Sequence, residues 1–238
     1  CTNGIGYVDL MFKTDSIAPE QIPYLGLLKS VLGYVDTEHY TYGELFNEIN
    51  ANTGGINCGV EVFDRADSTE EFQAMFSVRG KALYTKMDFL FKMIGEILNS
   101  SKLEDTKRLY EIVASVKSRA QVNLTGAGHS TAVLRAAAYS SPMAAFQDEM
   151  AGIGYYQFIE KLEKDFEQRK EETVEELCKL MKKILRPENF MISYTGERES
   201  LETVQKLAGT VKAGLGTEPV EKSKEKLTCT KKNEGFKT

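Results

Sequence analysis

Apolar and polar residues alternate at the start of the chain. Val8, Leu10 and Phe12 interleave with Tyr7, Asp9, Met11 and Lys13, which predicts a strand over Gly4–Thr14 with one covered face. Asp15 and Ser16 offer a cap for a following helix, and Pro19 suits its first turn. Ile22, Leu25, Leu28 and Leu32 then recur at helical spacing, and Gly33 ends the run. A second helix opens on a capping box, Thr41 with Glu44. Leu45, Phe46 and Ile49 form its apolar side, and Asn52-Thr53-Gly54-Gly55 stops it.

Period two returns afterwards. Ile56, Cys58, Val60 and Val62 share one strand face, and Phe72, Ala74, Phe76 and Val78 share another. The polar stretch Asp64–Glu71 reads as the loop of an antiparallel hairpin. From Thr85 the pattern is helical for about 100 residues. Helices are marked by Met87–Leu98, Leu109–Ala120, Tyr155–Phe166 and Val174–Leu185, with a small-residue region over Gly126–Gly154 that breaks at Pro142. Phe190, Ile192 and Tyr194 give a last strand, and Leu201, Val204, Leu207, Ala208 and Val211 a last helix. The order predicts one α+β domain over residues 1–213, an antiparallel sheet with helices packed mainly on one face. Residues 214–238 lack periodicity and are rich in Lys and Glu, so they read as a linker to a next domain.

Composition changes this picture only by exclusion. The net charge of −5 argues against a nucleic-acid surface, and no apolar run reaches the roughly 18–20 residues of a membrane span. Asp9 interrupts the first apolar stretch, so no signal-peptide pattern is present. Cys1, Cys58, Cys178 and Cys229 are not arranged as Cys-x-x-Cys, and Cys58 and Cys178 are expected as small buried apolar residues in a reducing compartment. Asn99-Ser100-Ser101 and Asn123-Leu124-Thr125 read as chance matches to the glycosylation pattern.

Candidate chemistry is sparse. His39 and His129 have no second histidine or cysteine at metal-ligand spacing. His39 is expected in solvent. His129 adjoins Ser130, but neighbouring residues in a helix do not face each other and no third group is identifiable, so Ser130 is expected to cap a helix instead. Gly126 and Gly128 lack the lysine of a phosphate loop. Asp148-Glu149 is read as a solvated helix face rather than an acid/base pair.

Several stretches, taken together, resemble the third domain of presequence protease-like peptidases, a subfamily of the pitrilysin/insulinase zinc metallopeptidases. They are Thr2-Asn3-Gly4-Ile5, Pro23-Tyr24-Leu25 with its leucine-rich helix, Tyr40–Asn50 leading to Thr53-Gly54-Gly55-Ile56, Gly128-His129-Ser130 with Leu134-Arg135-Ala136-Ala137, Ser141-Pro142, Gly152 and Tyr155-Tyr156-Gln157-Phe158. The resemblance implies four homologous domains in a hinged shell around a closed chamber, with His-x-x-Glu-His zinc chemistry in the first. Laid on that motif, Tyr24 and Leu28 take the histidine positions and Leu27 the glutamate position. The distal ligand falls near Ser115, with Glu111 one turn earlier.

The resemblance therefore implies a non-catalytic domain with no catalytic or metal-binding residue of its own and no identifiable substrate-binding residue. Zinc is expected only in the catalytic domain of a longer polypeptide. Its partners would be the catalytic half, the fourth domain and unfolded peptides, with no nucleic acid and no membrane. The family's residues for a peptide carboxyl terminus belong to the fourth domain, so none carries over. The start without methionine and the ending Lys232-Asn233-Glu234-Gly235-Phe236 are expected of a piece that runs into the next domain. A bacterial cytoplasm, or alternatively a mitochondrial or plastid matrix, is the expected compartment. A self-standing, non-proteolytic module of the same fold is the alternative. Asn57, Glu61, Gln73, Ser77 and Arg79 form the polar sheet face that could turn to a chamber.

Overall fold

The computed structural model describes residues 2–223, 227–229 and 234–235. Its sheet contains β1 (Ile5–Lys13), β2 (Ile56–Arg65), β3 (Ser68–Leu83) and β4 (Phe190–Thr195), in the order β2-β3-β1-β4. Every pairing is antiparallel. Leu10 lies between Val78 and Ile192, and Phe12 between Phe76 and Phe190, so the apolar positions of three strands form continuous rows. Val8, Leu10, Phe12, Ala74, Phe76 and Val78 are buried on that face.

The helices are α1 (Ile22–Val31), α2 (Tyr42–Asn52), α3 (Met87–Ser100), α4 (Thr106–Gly126), α5 (Gly128–Ala137), α6 (Pro142–Ala151), α7 (Ile153–Lys164), α8 (Phe166–Ile184) and α9 (Leu201–Ala213). Against the sheet lie α1, α3, α6 and α9. Outside them, α4, α7 and α8 pack on α1, α2 packs on α3, and α5 packs on α4 and α6. This is the α+β arrangement that the residue pattern predicts.

Local signals act as read at several ends. The Thr41 hydroxyl accepts from the Glu44 N–H (3.3 Å), and the Glu44 carboxylate accepts from the Thr41 N–H (2.9 Å). Gly33 and Gly55 take φ of +86° and +102°, a region where a side chain is strained. Other ends differ. The hairpin turn is tight, because β2 runs to Arg65 and β3 starts at Ser68. Most of Asp64–Glu71 is therefore strand, with an irregularity at Asp64/Arg65. Asp15 and Ser16 do not cap α1, which follows a 3-10 turn at Pro19–Gln21. Ser16 instead donates to the Lys183 carbonyl (3.2 Å), and Asp15 accepts from Gln73 (2.7 Å). The small-residue region does break at Pro142, between the helices Gly128–Ala137 and Pro142–Ala151, and Pro142 also opens the second of them, where Ser141 caps through the Ala144 N–H. Phe46 faces solvent, since α2 meets the core through Leu45 and Ile49.

After Ala213 the described residues form no helix or strand. Leu215 is buried, the Glu218 carbonyl accepts from Arg186 (2.6 Å), and the Ser223 N–H donates to the Ser16 carbonyl (3.1 Å). Leu227 packs on the core, and Glu234 accepts from Arg135 (2.7 Å). The expected opening of a next strand falls partly on residues 232, 233 and 236, which lie outside the described residues.

Candidate functional site

α1 carries the positions aligned with a zinc motif. Every residue from Ile22 to Leu28 is buried, with Leu27 at 0% exposure, Leu28 at 1% and Tyr24 at 6%. The helix is enclosed by β2 and by α4, α6, α7 and α8. Gly26 permits the closest approach. A Cβ there would stand 2.6 Å from the Met150 carbonyl oxygen and 2.7 Å from the Tyr155 ring.

Tyr24 turns its hydroxyl outward. The oxygen accepts from Arg169 Nη2 (2.9 Å), and the ring meets Phe158 edge-on at 4.8 Å. Burial raises the Tyr24 pKa, with Arg169 acting against that rise. The phenol opens on a cleft of about 740 Å³ beside α8. Several of the charges there are already matched. Gln21 donates to Glu176 (2.9 Å), Lys183 donates to Gln21 (2.9 Å), and Lys179 pairs with Glu175 and Glu176. This network ties α8 to the start of α1. A zinc ion needs imidazole, thiolate or carboxylate ligands, and Tyr24, Leu27 and Leu28 do not fit one. Among the described residues, no group of three or more His, Cys, Asp or Glu side chains is placed to hold a metal.

The remaining candidates are dispersed. Ser115 is exposed on α4, and Glu111 accepts from Arg108 (2.8 Å). His129 and Ser130 are exposed on α5, which starts at Gly128 without a side-chain cap, so Ser130 lies inside the helix. His39 is not simply solvated. Its ring is 64% exposed, yet Nδ1 lies 3.0 Å from Glu96 Oε2, and its N–H donates to Glu96 Oε1 (3.1 Å). Glu96 is buried, so the loop before α2 is pinned to α3.

The outer sheet face is partly polar. Arg79 pairs with Asp9 (2.8 Å) and Glu61 (3.2 Å) across three strands. Asn57 lines a shallow hollow with Tyr7, Lys81 and Thr195. Ser77 departs from the polar reading, because it is only 1% exposed and its hydroxyl has no partner among the described residues. Met75, two positions earlier on the same face, is also buried, while Tyr7, Phe63 and Met191 are exposed. The face is thus mixed, with Arg79 as its charged centre. Cys58 and Cys178 are free and half-buried, and burial pushes the Cys58 thiol up to about 12.

Asp148 departs from the solvated helix face that its sequence context suggests, because it is only 1% exposed. Its carboxylate accepts from the Ile153 N–H (3.0 Å), the Gly154 N–H (3.1 Å) and Arg135 Nη1 (2.5 Å). It therefore caps α7 and joins α5 to the α6–α7 corner. Gly152 and Gly154 make the room, since a Cβ at either position would strike the Asp148 carboxylate.

Comparison with known proteins then fixes the lineage. A family model described as peptidase M16, subfamily C, associated matches residues 1–162. The chain belongs to this peptidase-associated family. It is 32% identical over 237 residues to "Protein HypA" of Clostridium perfringens, covering all of this chain and 24% of that protein. It is 29% identical over 168 residues to the mitochondrial presequence protease of Yarrowia lipolytica, covering 71% of this chain and 17% of that one. Against presequence protease 1 of Arabidopsis thaliana, identity is 26% over 205 residues, covering 86% and 19%. The chain thus spans about a quarter or less of the length of these relatives. A crystal structure of a conserved protein from Enterococcus faecalis shares the fold, with a TM-score of 0.56, 11% identity and coverage of 86% of this chain and 47% of that one. No helix among the described residues is long and apolar enough to cross a membrane.

Proposed function

We propose that this chain is a catalytically silent domain of a longer zinc-dependent endopeptidase that degrades unfolded peptides inside a closed chamber. The observation that carries the reading is α1. The family resemblance lays it on a catalytic helix, yet its Tyr24-Leu25-Gly26-Leu27-Leu28 turn is packed as core. A helix kept in position but stripped of ligands supports a scaffold role. The outer sheet face, centred on Arg79, is assigned to the chamber wall, and the remaining surface to the catalytic half and a fourth domain. Zinc belongs to a catalytic domain elsewhere in the polypeptide, and the compartment is a bacterial cytoplasm or an organelle matrix.

The test compares this chain with the full-length polypeptide. The full polypeptide should bind stoichiometric zinc and cleave an unstructured peptide, but not a folded protein of the same mass. This chain alone should bind no stoichiometric zinc and cleave neither. Chelator-resistant cleavage by this chain, lost in Ser130→Ala, would overturn the proposal.

A further inference from the structure

A smaller cleft lies between α1, α4, α5 and the α6–α7 corner, away from the Tyr24 network. It holds about 240 Å³, which is room for a small polyatomic ion with a few waters. Lys29 from α1 and Arg119 from α4 both line it, as does Tyr155 from α7. None of its described lining residues is an acid. Several cations elsewhere on the molecule are met by carboxylates. Arg169, Lys179, Arg79, Arg135 and Arg186 each pair with a glutamate or aspartate, whereas neither Lys29 nor Arg119 forms an ion pair among the described residues.

Tyr155 supplies an independent observation. It is 5% exposed, and its hydroxyl is buried without a hydrogen-bond partner among the described residues. A buried polar atom left unpaired is costly and calls for an explanation. The Ser30 hydroxyl lies beside it outside hydrogen-bond geometry and turns to the Gly26 carbonyl (3.4 Å), while the charge of Arg119 reaches the phenol. Burial keeps the phenol protonated and therefore a donor. The ammonium of Lys29 is desolvated, which lowers its pKa. Two cations and one unused O–H donor around a small hollow form a set with no acceptor assigned to it. Asn123 and Thr131 add polar groups at the rim.

We propose that the Lys29–Arg119–Tyr155 cleft is a binding site for a small oxyanion, a phosphate or carboxylate group held by two cations and the Tyr155 hydroxyl. The group could be a free ion or one carried by a peptide. Guanidinium and ammonium suit either oxyanion, and the small lining residues Ala120, Ala151 and Gly152 leave it the space. Occupancy would join α1, α4 and α7 through one ligand.

The test measures thermal unfolding and calorimetric binding of the 238-residue chain with inorganic phosphate, with acetate and with a short peptide carrying a single glutamate, each against chloride at equal ionic strength. A ligand at ten times its Kd should raise Tm by about 3–5 °C above the chloride control. Binding of phosphate alone assigns the site to a phosphate, and binding of acetate or the glutamate peptide assigns it to a carboxylate. Arg119→Gln, Lys29→Met and Tyr155→Phe should each weaken binding about tenfold or more. Lys182→Gln, in the other cleft, should leave it unchanged. Lys29→Met should also unfold at or above the parent temperature, because it removes an unpaired desolvated cation, which separates lost binding from lost folding. No ligand exceeding chloride, or binding that is equally strong in all three variants, would overturn the proposal. Both outcomes are independent of whether the longer polypeptide is a peptidase.

Discussion

Replacing Leu28 by alanine tests whether α1 is a packed scaffold or a loosely held remnant. Leu28 is 1% exposed within the main core. The substitution removes three carbons, each worth about 0.8 kcal/mol of transfer free energy, or about 2.4 kcal/mol in total. The helix is clamped from several sides, so the void should close only partly. A residual cavity of about 50 Å³ at about 24 cal/mol per Å³ adds roughly 1.2 kcal/mol. The expected loss is therefore about 3–4 kcal/mol. Urea unfolding followed by circular dichroism measures it as a lower midpoint at an unchanged slope. Leu83→Ala serves as the control, because Leu83 is 55% exposed and should change stability by less than about 0.5 kcal/mol. A loss below about 1 kcal/mol at Leu28 would refute the argument that α1 is held in the core.

Three further outcomes follow from the same packing. Gly26→Ala should destabilise by about 1–3 kcal/mol, because its Cβ would overlap the Met150 carbonyl and the Tyr155 ring, whereas Gly95→Ala, which meets nothing within 4 Å in α3, should stabilise by about 0.5–1 kcal/mol; equal denaturation midpoints for the pair would contradict the close contact. Asp148→Ala should cost about 3 kcal/mol by unpairing Arg135 and uncapping α7, and Asp148→Asn should cost less, since its amide oxygen still accepts from the Ile153 N–H; identical losses would mean that the cap contributes nothing. Iodoacetamide at about pH 8 should leave Cys58 unmodified in the folded chain and label it on unfolding, because its thiol is pushed up to about 12; rapid labelling of the native chain would show that Cys58 is not held in an apolar site.

The elements legible in the sequence are those whose signal is local. The alternation through Val8, Leu10 and Phe12 names a strand and its buried face. The Thr41–Glu44 box names a helix start, and Gly33 an end. The pattern fails where a polar residue acts across the fold. Asp64–Glu71 has the polarity of a loop, yet an edge hairpin extends polar strands into solvent. Ser16 carries a helix-cap side chain, but a carbonyl of distant α8 captures it. Asp148 has the context of a solvated residue beside Glu149; the available signal is Gly152 and Gly154, whose missing side chains make room for its carboxylate. At the candidate site, the apolar character of Tyr24, Leu27 and Leu28 is plain from sequence. The Lys29–Arg119–Tyr155 cleft is not, since its groups come from three helices and no single stretch contains two of them.

The sheet order places β1 inside, with β3 on one side and β4 on the other. On the ribosome, this arrangement sets a schedule. The hairpin of β2 and β3 can pair with β1 once Leu83 has emerged, but the far edge of β1 must wait for β4, which begins at Phe190. That interval is roughly 110 residues, so at about 5–20 residues per second the edge stays open for roughly 5–20 s. An open edge strand is a template for pairing with other chains. The nascent chain would be most prone to association during this interval, and a chaperone that binds extended apolar segments would find its target at Tyr7–Lys13.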